Sequence, residues 1–401
     1  MEQGSILPFL KASRPRPENS RPGQPYHQKQ HHPNSKRRGP NHRRNMDLEK
    51  VADETKAELP RVLAHIPGFD PTESSLIQLE DLDTLSAAQC PGFKKKARIQ
   101  VLNMDSFDAA IQLDPGHNVN KHLGVTSPKA NTHLKPDGAE NSLDTPSTDS
   151  LAGPVADIHL SSPEPDSTSG PDETHTDSKA NPDDSLDSEA RNPNLLDPHR
   201  SVVVLNLASE RSPGGGWQKG ALAQEECLCY RSSLYLSLTP SFYPIPALAA
   251  IYTPNVVLIR SSMATGHTLL TAAQPPASLP AVSVISAAAL RKPPLSDDAQ
   301  TFKNPGARAL TKRKIRLVLR MAALQKHTRL VLGALGCGVF ANPPADVATC
   351  FLEVFNEPEF QGGWWQDVVF AVLDNVKGPG GGQHGNGNYG HFYRVLHGHE
   401  V

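Results

Sequence analysis

SVVVLNLASERSPGGGWQKGALAQEECLCYRSSLY, residues 201–235, reads as a buried strand, a glycine loop and the start of an acidic helix. Residues 201–207 form a short β-branched apolar run that stops at a polar cluster ending in Pro213, as a strand covered on both faces would. Gly214, Gly215 and Gly216 follow, three positions without a Cβ where the backbone can take positive φ and a ligand can approach the amides. Gln224, Glu225 and Glu226 come next, then Cys227, Leu228, Tyr230, Leu234 and Tyr235 at roughly helical spacing. Two carboxylates therefore stand in the first turn of a helix just beyond a glycine loop.

Outward from this stretch the chain alternates strands and helices. Upstream, residues 98–102 (RIQVL) alternate like a strand, and NMDSFDAAIQL opens a helix capped by Asp105 or Ser106. Residues 47–65 carry a helical pattern that Pro60 is expected to break. Downstream, residues 256–260 (VVLIR), 281–285 (AVSVI), 330–332 (LVL) and 368–373 (VVFAVL) read as strands. Residues 307–327 form an amphipathic helix with Leu310, Ile315, Val318, Leu319 and Ala322 on one face, and its Lys/Arg row reads as solvated surface in preference to a phosphate site. The 330–332 strand runs into a second glycine loop, GALGCGVF (333–340), and Pro343 or Pro344 suits the first turn of the following helix. This pattern predicts an α/β fold, a mixed or mostly parallel sheet covered by helices on both faces. Such sheets bind ligands beyond the carboxyl ends of their strands, where both glycine loops fall.

Composition limits the folded part. The 401 residues include 37 prolines and only 37% hydrophobic residues, which predicts one core and much chain that never packs. Residues 1–45, rich in Pro, Arg, His and Gln, are expected to be a disordered basic tail. Its cluster SKRRGPNHRR (35–44) suits nuclear import or direct nucleic-acid contact, and equally a solubilising tail. Residues 46–113 then read as the first part of one domain, 114–200 as an acidic Ser/Pro/Asp-rich disordered insertion, 201–376 as the main part, and 377–401 as a flexible Gly/His-rich tail. Five scattered cysteines without CxxC fit a reducing compartment, and Cys227 and Cys229 read as buried small hydrophobes. No apolar run is long enough to span a bilayer and no signal sequence is evident, so a soluble, intracellular protein of nucleus or cytoplasm is expected. Nothing argues for association beyond a monomer, and no metal or cofactor is called for.

The chemistry of the two loops is narrower. The second lacks both the spacing of a dinucleotide fingerprint and the Lys-Ser/Thr of a Walker loop. Its glycines still let amides converge on an anion such as a diphosphate, with the N-terminal end of the next helix adding positive potential. Packing glycines would look the same. Adjacent Glu225 and Glu226 at a helix start either complement the dipole in solvent or serve a glycosidic bond. That bond breaks through an oxocarbenium-like state and needs one carboxylic acid to protonate the leaving oxygen and one carboxylate to stabilise and orient the sugar.

GGG, about seven residues and then QEE resembles the signature of poly(ADP-ribose) glycohydrolases, and LNLAS…PGGGW…GALAQEECLCYRSSLY is similar to their microbial-type branch. IYTPNVVLIR, LVLGALGCGVFANPPADVATCF and VVFAVLDN extend the likeness over roughly 46–113 and 201–376. The resemblance implies a macrodomain-like three-layer α/β/α sandwich with a mixed central sheet. It implies Glu226 as the catalytic acid and Glu225 as its ribose-positioning neighbour, with Gln224 beside them. It places Asn206 and Gly214–Gly216 at the distal ribose and diphosphate, Gly336, Cys337, Gly338, Val339 and Phe340 in the diphosphate loop, and Asp105 at the adenine amino group. Trp217 stands where the family often shows Phe. The implied partner is poly(ADP-ribose) or an ADP-ribosylated protein. An inactive ADP-ribose-binding macrodomain, or a hydrolase removing single ADP-ribose groups from proteins, would share these features.

Overall fold

The computed structural model describes residues 40–125 and 200–401, with side chains from Met46 onward. The basic tail up to residue 39 and the insertion from 126 to 199 lie outside the described residues. The described chain runs α1 (Pro40–Leu63), β1 (Ser75–Gln78), β2 (Gln100–Leu102), α2 (Ser106–Leu113), α3 (Val119–His122), β3 (Val203–Leu207) and α4 (Gln224–Arg231). It continues through β4 (Ala249–Val257), β5 (Ala281–Ala287), α5 (Pro305–Leu324), β6 (Arg329–Leu332), α6 (Pro344–Phe355), β7 (Asp367–Ala371) and α7 (Asn388–Leu396).

These strands make one sheet in the order β1-β4-β5-β3-β6-β7-β2. From β5 to β2 every neighbour is parallel, while β4 runs antiparallel to both β5 and β1. Side-chain alternation sorts the core into two layers. Val203 and Leu205 of β3, with Ile285, Leu330, Leu332, Val368 and Phe370, pack under α5, α6 and α7. Val202 and Val204, with Val282, Val284, Val331 and Val369, pack against α1, α2 and α4. The expected three-layer mixed-sheet fold is therefore present. Parity also sets the site: Asn206 and Ser286 continue the face that meets α4, and their side chains bond at 3.0 Å.

Several boundaries differ from the sequence expectation. Helix α1 passes through Pro60, because Leu59 and Val62 on either side of it are fully buried and tertiary packing outweighs a proline penalty of about 3 kcal/mol. The first folded segment extends beyond residue 113. Asp114 pairs with Arg329 at 2.7 Å, Asn118 bridges to Pro280, and Val119 is buried. Strand β4 begins at Ala249 rather than 256 and carries Pro254 at an irregularity between Thr253 and Val256, where the missing N–H is tolerated. The expected flexible tail is instead helix α7 plus an extended end, with Phe392, Leu396 and Val401 buried and backbone bonds from Ala97 to Val401 and from Ile99 to His399. The basic row of α5 is neither bare surface nor a phosphate site. Arg308, Lys312, Arg316 and Arg320 pair with Glu353, Glu357 and Glu359, the first two on α6 or its C-terminal end and the last just beyond it. Among the described residues no helix is long and apolar enough to cross a membrane.

Candidate active site

All five parallel strands end on the same side of the sheet, and the segments that follow them enclose one cavity of about 510 Å³. It is lined by Met104 to Ser106 after β2, Leu207 to Ser209 at the end of β3, Ala289 and Arg291 after β5, Ala334 to Gly336 and Gly338 to Phe340 after β6, and Ala371 to Asn375 at the end of β7. Gly215, Gly216 and the start of α4, Gln224 to Cys227, form its acidic wall.

Helix α4 is positioned by its first residue. Gln224 accepts from the Leu207 amide at 2.8 Å and donates to Leu205 O at 2.8 Å and to Ser106 Oγ at 3.1 Å, which fastens the helix to the end of β3 and to α2. Glu225 and Glu226 are thereby buried at the cavity wall. Glu225 accepts from the Ser209 amide at 2.8 Å, with Asn206 Nδ2 beside it at 3.5 Å. Burial pushes the Glu225 carboxyl up to about 8; hydrogen bonds from Ser209, Asn206 and Gly214 oppose the rise and the Glu226 charge adds to it. Glu226 Oε1 accepts from the Gly216 amide at 2.9 Å, whereas its buried Oε2 has no hydrogen-bond partner among the described residues.

Gly215 explains why the loop is glycine. Its φ is +61°, and a Cβ there would lie 2.3 Å from Glu226 Oε1 and 3.0 Å from Glu225 Oε2. The turn thus passes directly against both carboxylates, in a conformation that L side chains rarely adopt. Beneath it, Trp217 is buried against Tyr235, with ring centroids 4.7 Å apart, and leaves no room for a side chain at Gly214.

The second loop is built the same way. Gly336 has φ +77°, and a Cβ there would meet Ala289 Cβ and Asn342 Nδ2, each at 2.5 Å. Asn342 pins the loop by donating to Leu290 O at 2.6 Å, Gly336 O at 3.1 Å and Phe340 O at 3.3 Å. Asn388 of α7 donates to Cys337 O at 3.2 Å and lines the cavity. The Arg291 guanidinium stacks on Phe340, 4.4 Å from the ring centroid, and pairs with Glu210 at 2.5 Å.

Of the residues singled out in the sequence, Glu225, Glu226, Gln224, Gly215, Gly216, Gly336, Gly338, Val339, Phe340 and Asp105 line the cavity together. Asn206, Gly214 and Cys337 do not: Asn206 lies fully buried behind Glu225, Gly214 faces Trp217, and the Cys337 side chain turns into the core. Asp105 caps α2 by accepting from the Phe107 and Asp108 amides and is ion-paired with the buried Arg231, all through Oδ1. Burial raises its pKa and Arg231 lowers it. The N-terminal end of α6, expected to face an anion, is absent from the cavity lining; buried Asp346 in its first turn is bonded to Phe302 N and Arg308 instead. Asn342, Arg291, Asp374 and Asn388 were not singled out: Asn342 and Asp374 stand inside the quoted stretches FANPP and VVFAVLDN without a role, whereas Arg291 and Asn388 reach the site only through tertiary contacts.

Residues 125–261 match the family model described as the microbial-type PARG catalytic domain, a segment containing both glutamates and the first glycine loop. Among solved structures, poly(ADP-ribose) glycohydrolase from Thermomonospora curvata is 22% identical, with 87% of this chain and 99% of that chain covered and a TM-score of 0.52. The same enzyme bound to the inhibitor ADP-HPD is 23% identical over the same shares, with a TM-score of 0.51. The Deinococcus radiodurans glycohydrolase in complex with ADP-ribose is 26% identical over 84% of this chain and 97% of that chain, with a TM-score of 0.48. A comparison with curated proteins finds no match. In its fold, and in the family model matched across both cavity acids, the chain is similar to the microbial-type poly(ADP-ribose) glycohydrolases.

Proposed function

We propose that the chain is a poly(ADP-ribose) glycohydrolase that hydrolyses the ribose–ribose O-glycosidic bond and releases ADP-ribose. The observation that carries this reading is Glu226, a cavity carboxylate with one oxygen anchored by a loop amide, the other unpartnered, and a second buried acid adjacent to it.

Glu226 protonates the departing ribose oxygen and then takes a proton from the water that captures the oxocarbenium sugar. Glu225 receives the hydroxyls of the distal ribose. Those hydroxyls donate, so they favour the carboxylate over the protonated form that burial favours in the free protein. Ligand binding therefore displaces the proton of Glu225 to the adjacent Glu226, which delivers it to the leaving oxygen. Asn206 acts from behind, holding Glu225 rather than touching the sugar. The diphosphate lies against amides of the two glycine loops, where Gly215, Gly216, Gly336 and Gly338 permit close approach. Asp105 is left with Oδ2 for the adenine amino group. Binding energy from these remote contacts positions the reacting sugar. The basic cluster at 36–44 supports a nuclear site of action.

Purified protein incubated with poly(ADP-ribose) is expected to release ADP-ribose. Glu226→Gln should still bind ADP-ribose by calorimetry while turnover falls about 10²- to 10⁴-fold. Undiminished turnover by that variant would remove Glu226 from the chemistry.

A further inference from the structure

Among the described residues, four acids, Asp105, Glu225, Glu226 and Asp374, and one cation, Arg291, line the cavity. That cation is where a polyanion is attracted. Arg291 is tied to the acid end of the cavity. Its Nε and Nη2 pair with Glu210 at 2.5 and 2.9 Å, and Glu210 follows Ser209, whose amide bonds Glu225. Its backbone neighbour Lys292 donates to Phe340 O at 2.8 Å, and its guanidinium plane rests on the Phe340 ring. The third nitrogen, Nη1, has no hydrogen-bond partner among the described residues, and the side chain is 42% exposed. The ion pair with Glu210 is bidentate and partly exposed, so a phosphate displaces it by matching both of its hydrogen bonds.

Resting on the glycohydrolase reading, we propose that Arg291 is a specificity-determining residue that receives the anionic diphosphate of the departing part of the polymer. The terminal unit's own diphosphate is served by loop amides. The next anionic group past the scissile bond belongs to the unit that leaves, and it emerges beside the residues that hold Glu225. A guanidinium matches phosphate in a bidentate geometry that an ammonium does not. Arg291 exchanges Glu210 for this phosphate while its flat face stays stacked on Phe340.

The test compares two substrates that share ADP-ribose and differ in what departs: poly(ADP-ribose), and ADP-ribose bearing a neutral aryl group at the distal ribose C1. Arg291→Ala is expected to lower kcat/KM on the polymer at least about tenfold more than on the aryl substrate, chiefly through KM. Arg291→Lys should fall between, and the salt dependence of KM on the polymer should flatten in the alanine variant. Equal losses on both substrates would mean that Arg291 only props Phe340, and no loss on either would mean that it does nothing; both results overturn the proposal. Polymer binding reads the contact without turnover. Adding Arg291→Ala to Glu226→Gln should weaken binding of polymer by about tenfold more than binding of ADP-ribose. Wild-type protein that turns over neither substrate would defeat the function assigned above, and the binding pair would still decide Arg291.

Discussion

Replacing Gly215 by Ala isolates the contact on which the acid pair depends. The substitution has two consequences that the structure separates. A non-glycine residue at φ +61° costs about 1–2 kcal/mol in backbone energy. The new methyl, 2.3 Å from Glu226 Oε1, also cannot coexist with the carboxylate where it stands. Because that oxygen is the far end of a side chain, Glu226 swings away and breaks its bond to the Gly216 amide, so the steric conflict is relieved at the expense of chemistry. Gly266 supplies the control: its φ is +85° and a Cβ there meets nothing within 4 Å. Thermal melts of both variants should show similar losses, about 2–4 °C for each kcal/mol in a domain of this size. Release of ADP-ribose should separate them, with Gly266→Ala near the parent and Gly215→Ala down at least about 10²-fold, the scale of an ångström-level misplacement of a reacting group. A Gly215→Ala variant that melts like Gly266→Ala and turns over at the parental rate would refute the placement of Glu226 in the reaction.

Two further outcomes follow from the structure and the chain. The folded protein keeps a proton on Glu225 that the unfolded chain releases near pH 4.5, so this residue's stabilising contribution is full below that pH and declines as pH rises toward about 8. The slope is about 1.4 kcal/mol per pH unit at most. Glu225→Gln should gain on the parent across that window in melts taken from pH ~5 to ~8, and parallel curves would show that Glu225 is not held protonated. Deleting residues 1–45 should shift a fluorescently tagged protein from nucleus toward cytoplasm; unchanged imaging would leave the basic cluster without an addressing role.

The central strand, glycine turn and acidic helix start were legible because each has a local signature: β-branched residues 201–207, three successive glycines, and Glu225 and Glu226 ahead of an apolar run. The second loop was legible for the same reason. Strand β1 was not, being four residues with only partial burial, whose pairing with β4 is decided across more than 170 positions. Helix α7 was hidden by glycines on its N-terminal side, although Phe392 and Leu396 keep helical spacing. Arg291, Asn342 and Asn388 were invisible as site residues, because a lone Arg or Asn acquires meaning only from the carbonyl, ring or carboxylate that the fold brings to it. The Lys/Arg row of α5 was misread on the same ground, since its acidic partners lie about 40 residues away.

One stretch, residues 40–125, supplies both outermost strands described early in the chain: β1 borders β4 at one margin, and β2 borders β7 at the other. During synthesis these two ribbons emerge well before either neighbour exists, so each must wait with its backbone donors and acceptors unpaired until residues 249–257 and then 367–371 have been made. Closure of the sheet at the β2 margin consequently comes late, and a fragment ending before β7 would leave β6 with an open edge and β2 without its neighbour.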